Sequence, residues 1–309
     1  MTRAGSWLAA GAAALVLAAA GCGLGAGSGT EGVKLTVTRD FGRHQVGSVS
    51  ARRTAGSETV MRFLERNFRV QTRYGGGFVQ AIDGLAGGLA GGRRIDWFYY
   101  VNGVEAGQGA AATAVHRGDR VWWDRHDWGA AMRVPAVVGS FPEPFRSGVG
   151  GKRLPVRLDC AGSAGAACQV VAERLSAVGV PAARAAPGAP VGGKSLRVLV
   201  GPWSVLRGDP VTRELDAGPA RSGVYARFDG GGTRVVVLDA RGAPASAFAH
   251  NAGLVAATRY ADQQPTWLVT GVDEGGVLAA ARALDEPSLH NRFALAVVPG
   301  NLVGAPVAR

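Results

Sequence analysis

Apolar and polar positions change their spacing several times along the chain, and the changes divide it. Val33, Leu35 and Val37 alternate with polar residues, which predicts a half-buried strand, and Val46 and Val49 predict a second after a turn at 41–44. Val60, Phe63, Leu64 and Asn67 fall at helical spacing over 60–67, with Ser57 as N-cap and Glu58 in the first turn. Strands follow at 78–82, 97–101 and 120–126. A glycine-rich loop at 84–92, the hairpin signal Asn102-Gly103 and the turn Arg117-Gly118-Asp119 separate them. Strands around one helix predict an α+β, β-grasp-like domain over 33–132.

Residues 133–154 contain Pro135, Pro142 and Pro144 and read as an extended linker. Beyond it the period alternates between helix and strand. Strands are predicted at 155–159, 196–200, 267–270 and 293–298, and helices at 168–178, 248–260 and 274–284. A hairpin spans 224–238. This pattern predicts a three-layer α/β domain over 155–309 with a largely parallel sheet.

The longest apolar run lies at the N-terminus, after Arg3, and at about 13 residues is short for a membrane span. Residues 1–21 read as a signal peptide. The run ends in Leu17-Ala18-Ala19-Ala20-Gly21-Cys22, which resembles a bacterial lipobox, with Ala19 where that pattern prefers leucine. The resemblance implies a chain cut before Cys22 and acylated on it, held by a glycine-rich tether at 22–32 to the outer face of the cytoplasmic membrane. Ordinary signal cleavage beside an incidental cysteine is the alternative. The two other cysteines, Cys160 and Cys168, are then a pair in an oxidising compartment. A disulfide accounts for them more simply than a metal site, because no further ligand flanks them.

The 309 residues carry a net charge of +11. Lys and Arg outnumber Asp and Glu by 15 to 10 over 31–133 and by 18 to 13 over 134–309, so the charge is spread. No single basic footprint marks a nucleic-acid site, and none is predicted. Anionic lipid or wall polymer suits such a distribution at least as well.

Several phrases of the first domain resemble a known family. Trp97-Phe98-Tyr99-Tyr100-Val101-Asn102-Gly103-Val104, then Gly107–Gly109 and Arg117-Gly118-Asp119-Arg120-Val121-Trp122-Trp123, are similar to the bacterial domain related to the C-terminal β-domain of transcobalamin and intrinsic factor. The segments 60–67 and 77–82 fall where that pattern expects them. In eukaryotic relatives this domain pairs with a helical barrel to enclose cobalamin. The rest of this chain reads as α/β instead. The resemblance implies a ligand-binding lipoprotein, with cobalamin as the first ligand to test and no resident cofactor.

Side chains on 97–101 alternate between two faces, and only one face packs on the single helix. The other either exposes aromatics to a planar ligand or a partner, or is covered by the second domain. The expected ligand-contacting residues are Trp97, Tyr99, Tyr100, Asn102 and Trp123. An envelope adaptor that binds a surface protein or wall polymer is the alternative function. No catalytic or metal residues are assigned. His116, Asp124, His126 and Asp127 read as solvated strand-end residues, and His250 and His290 as cap or loop residues. The string Gly188-Ala189-Pro190-Val191-Gly192-Gly193-Lys194-Ser195 matches a P-loop. A strand is predicted where that motif requires a helix, so no phosphate site is read there.

Overall fold

Alternation in the first third of the chain closes into a six-stranded sheet. The computed structural model describes Met1 and residues 32–54, 56–190 and 194–308. Cys22, nearly all of the expected signal peptide and tether, and Val191, Gly192 and Gly193 of the P-loop string lie outside the described residues. Residues 31–309 form one compact unit of mixed α/β structure in which sheet predominates.

The first lobe runs β1 (Val33–Arg39), β2 (His44–Ala51), α1 (Val60–Glu65), β3 (Val70–Arg73), β4 (Phe78–Ile82), β5 (Leu85–Ala86), β6 (Gly88–Ala90), β7 (Arg93–Val101), β8 (Val104–Glu105) and β9 (Arg120–Asp127). The main sheet has the order β2-β1-β9-β7-β6, with β8 on β7. Only β1 and β9 pair in parallel. The glycine-rich segment read as a loop supplies β5 and β6, and β3, β4 and β5 make a small sheet of their own. Asn102 and Gly103 both take positive φ, 55° and 74°, as the hairpin between β7 and β8 requires. Helix α1 is capped by Thr59 rather than Ser57. The Thr59 hydroxyl accepts the Arg62 amide at 3.2 Å, while the Ser57 carbonyl accepts the Arg62 guanidinium. Val60, Phe63 and Leu64 of α1 join Leu35, Trp97 and Trp123 in one core.

The second lobe begins with β10 (Val156–Cys160), α2 (Gly165–Ala177), β11 (Ala182–Ala185) and β12 (Leu196–Pro202). Short helices α3 (Trp203–Leu206), α4 (Pro210–Asp216) and α5 (Pro219–Ser222) lead to β13 (Ala226–Phe228), β14 (Val235–Leu238) and β15 (Pro244–Phe248). β16 (Gly253–Thr258), β17 (Thr266–Gly271), α6 (Glu274–Arg282), α7 (Glu286–Leu289), β18 (Ala294–Val298) and β19 (Asn301–Ala305) follow. The central sheet has the order β11-β10-β12-β17-β16-β18-β19. Its first four strands are parallel and its last three pairings antiparallel, so the largely parallel sheet expected from the sequence is only half so. Helices α2 and α6 join one core cluster with the sheet, and β13–β15 with α3 and α4 join another.

The helix expected at 248–260 is β16 instead. Gly253 to Thr258 is buried throughout, and a short, fully buried apolar run carries no period to tell strand from helix. The close approach of α6 explains the glycines here. A Cβ on Gly253 would lie 2.1 Å from the Gly276 carbonyl oxygen. The proline-containing segment read as a linker is also structural. Val137, Val138, Phe141 and Phe145 are buried, and the Phe145 ring lies 4.9 Å from that of Trp267. Every described core cluster is built from residues between Val33 and Ala305.

Cys160 and Cys168 are bonded, with Cα atoms 6.0 Å apart, and tie the end of β10 to the first turns of α2. Replacing both by serine opens a short loop and is expected to lower stability by about 2–3 kcal/mol. Urea denaturation of the oxidised protein against the double variant measures this; equal midpoints would show that the bond contributes nothing.

Candidate functional site

The aromatic strand β7 presents rings to both faces of its sheet, and both faces are covered. Trp97 and Trp123 are buried under α1, and the Trp97 indole donates to the Leu85 carbonyl at 2.9 Å. Tyr99 is half-buried and stacks on Trp123 at 4.9 Å; its hydroxyl bonds to Thr113 at 2.8 Å and donates to the Gln108 carbonyl. Burial raises its pKa, and the Thr113 hydrogen bond opposes that shift.

On the opposite face Tyr100 is 1% exposed and packs with Trp122 against Phe293 of the second lobe. Burial, reinforced by Glu105 and Asp124, pushes the Tyr100 pKa far up. Asn102 is buried as a clamp. Its amide donates to Asp119 at 2.8 Å and to the Gly148 carbonyl at 2.9 Å, and its oxygen accepts the Arg120 amide. Of the five residues expected to meet a ligand, Trp97, Tyr100, Asn102 and Trp123 are therefore enclosed. The second domain covers the face that the sequence left undecided.

The polar strand-end group is also internal rather than solvated. Asp124 and His126 share a face of β9, as their spacing predicts, and are 2.9 Å apart. Asp124 is fully buried and accepts the amides of Phe41 at 3.0 Å and Gly42 at 2.8 Å, together with the Thr38 hydroxyl. His126 lies between Phe41 and Phe98, with ring centroids at 4.6 and 4.5 Å. Phe41 in turn meets Tyr225 and Phe293 of the second lobe. Asp127 is nearly buried and accepts the Gly129 amide. His116 stays partly exposed, 3.4 Å from Asp119. Among the described residues no group of three His, Cys, Asp or Glu is placed to hold a metal ion.

Several spaces lie where the lobes meet, and one of them is a cleft of about 410 Å³. The first lobe contributes Val104, Glu105, Gln108, Thr113 and His116, the segment joining the lobes contributes Val149 and Gly150, and the second contributes Arg259. Arg259 follows β16 directly, and the sequence offered no sign of its role. Its Nε is buried with no hydrogen-bond partner. Desolvation lowers its pKa, the Glu105 carboxylate opposes this, and Arg133 adds to it. Glu105 is itself raised by burial, although the Arg133 Nε lies 3.1 Å away. A second groove of about 470 Å³ runs along β19, and its residue Arg43 already donates to the Pro306 carbonyl.

His250 and His290 are both exposed. Partial burial lowers the His290 pKa, Lys34 and Arg120 add to the shift, and Glu286 opposes it. Among the described residues neither histidine is hydrogen-bonded to a serine or an aspartate. The strand β12 begins at Leu196, directly after Ser195 of the P-loop string. Among the described residues no helix is long and apolar enough to cross a membrane.

Residues 57–127 match the model of a family described as a domain of unknown function, DUF4430. The match runs from the residues before α1 to the end of β9 and contains all five aromatic and amide positions above. No curated protein matches the chain.

Removing the Asp124 carboxylate leaves two backbone amides, a hydroxyl and an imidazole without their acceptor. Asp124→Ala is expected to destabilise the protein by about 3–5 kcal/mol. Exposed Asp262→Ala should change stability by no more than about 0.5 kcal/mol. Urea unfolding compares them, and similar midpoints for the two variants would contradict the assignment.

Proposed function

We propose that the protein is a lipid-anchored extracytoplasmic binding protein that takes a small carboxylate- or phosphate-bearing ligand in the cleft between its lobes. The observation that carries this reading is Arg259. A buried guanidinium N–H without an acceptor costs stability, and half-buried Arg259 has such an N–H beside the attracting charges of Glu105 and Asp262. An arriving anion would supply the missing acceptor in a charge-assisted, bidentate geometry. Gln108, Thr113 and His116 offer further polar groups along the same wall.

The resemblance of residues 33–132 to the transcobalamin β-domain family supports a binding role over an enzymatic one. It also supports reading the first lobe as β-grasp-like, with one helix on a mixed sheet. A sheet with α2 and α6 on one side and β13–β15 with short helices on the other suits a three-layer α/β description of the second. Corrinoid capture, which the resemblance implies, needs accessible ring faces. Trp97, Tyr100 and Trp123 use theirs in packing, so a small anion suits the cleft better. The lipobox-like Cys22, acylated, and the disulfide-forming pair together support a place on the outer face of the cytoplasmic membrane.

Calorimetric titration with citrate, inorganic phosphate and cyanocobalamin tests the reading. Saturable binding of citrate or phosphate is expected, weakened at least about tenfold by Arg259→Ala, the loss of one charged hydrogen bond. Glu105→Gln, which removes a competing carboxylate, should tighten it. Arg259→Ala should unfold no earlier than the parent protein. Anion binding indifferent to Arg259, or cobalamin binding in place of it, would overturn the cleft assignment. No binding of any of the three would favour the adaptor of a surface protein or wall polymer.

A further inference from the structure

Sheet register gathers three arginines that are far apart in sequence. The β1–β2 pairing sets Val33 opposite Ala51, so Arg52 and Arg53 emerge beside the start of β1. The parallel β1–β9 pairing sets Lys34 opposite Arg120, and the Lys34 amide donates to the Asp119 carbonyl at 3.0 Å. That brings the turn carrying Arg117 to the same edge. Arg52, Arg53 and Arg117 line one shallow depression of about 330 Å³ with Gly32, Val33 and Thr54. All three are exposed, and among the described residues none forms an ion pair or hydrogen bond. Among the described residues no acidic side chain lines the depression. Glu31, the nearest acid in sequence, lies outside the described residues.

We infer that this face docks on the anionic phospholipid headgroups of the membrane that carries the protein. The inference rests on the lipid-anchor reading for its geometry: nine residues separate Cys22 from Gly32. Ten peptide steps reach at most about 36 Å when fully extended. An acylated Cys22 would therefore keep Gly32, and the edge it begins, within that reach of the bilayer. Exposed charges are screened beyond about 8 Å at physiological salt, so the arginines act on the headgroups at close approach. Each arginine brought to an anionic surface strengthens association roughly fivefold, or on the order of a hundredfold for three. Unpaired guanidiniums suit this task because no internal carboxylate competes with the headgroup phosphates.

The test uses the Thr30–Arg309 fragment, which spans every described core cluster and lacks Cys22. Its co-sedimentation with phosphatidylcholine vesicles is measured with and without phosphatidylglycerol. Binding is expected only to the phosphatidylglycerol vesicles, weakening as salt rises. The R52A/R53A/R117A variant should lose it by on the order of a hundredfold. The R73A/R93A/R207A variant removes equal charge from other exposed positions and should retain most of it.

Equal losses in the two variants, or no binding to anionic vesicles, would overturn the inference. Release by inorganic phosphate at matched ionic strength would mark a free-anion site and overturn it as well. Mass spectrometry of the mature N-terminus separates this result from the anchor reading. An unmodified Cys22 with arginine-dependent vesicle binding would remove the anchor and leave the docking face standing. An acylated Cys22 without such binding would do the reverse.

Discussion

The carboxylate of Asp124 fixes the turn that carries Phe41 across to the second half of the molecule. It is fully buried, and it satisfies the amides of Phe41 and Gly42, the Thr38 hydroxyl and the His126 ring. The turn it holds is one the chain would not adopt unaided, because Asp40 and Phe41 both have φ of 59° and neither is glycine. Held there, Phe41 points out of its own sheet and into the second lobe. Trp122 extends the same network by donating to Thr38 at 2.7 Å. A buried carboxylate with this many donors is costly to desolvate and costlier still to leave unmatched. That makes the turn, and the ring it carries, a fixed part of the interface between lobes.

The consequence for function is a division of labour among the aromatics. One face of β7 and β9 builds the core under α1, and the other builds the shared core with Tyr225 and Phe293. The concentration of rings that suggests a binding surface is thus the material that fuses the lobes. The proposed binding site lies at the edge of that joint, where the β7–β8 hairpin, the connecting segment and the end of β16 leave a cleft. Rigid walls on both sides suit a small ligand, because little ordering is needed when it arrives.

Local features of the first lobe were legible in the sequence: the β1 alternation, the α1 spacing and the Asn102-Gly103 hairpin all formed where expected. The pairing of Asp124 with His126 was legible as a shared face, but their burial was not, since strand periodicity gives no sign of a second lobe above the sheet. The segment around Phe141 and Phe145 read as a linker because its prolines and glycines drew attention away from its apolar side chains. β16 read as a helix because an alanine-rich, wholly buried run has no polar face to reveal its period. Arg259 carried no local signal at all. Its place in the cleft arises only when folding brings the end of β16 beside the β7–β8 hairpin and buries its Nε without an acceptor.

Scanning calorimetry on the Thr30–Arg309 fragment tests most directly whether the lobes are one cooperative structure joined at Asp124 and Phe41. A single transition, with calorimetric and van't Hoff enthalpies in agreement, is the expected result. Two resolved transitions, one assignable to residues 33–132 and one to 155–309, would contradict it and return the aromatic face of β7 to the candidates for ligand contact.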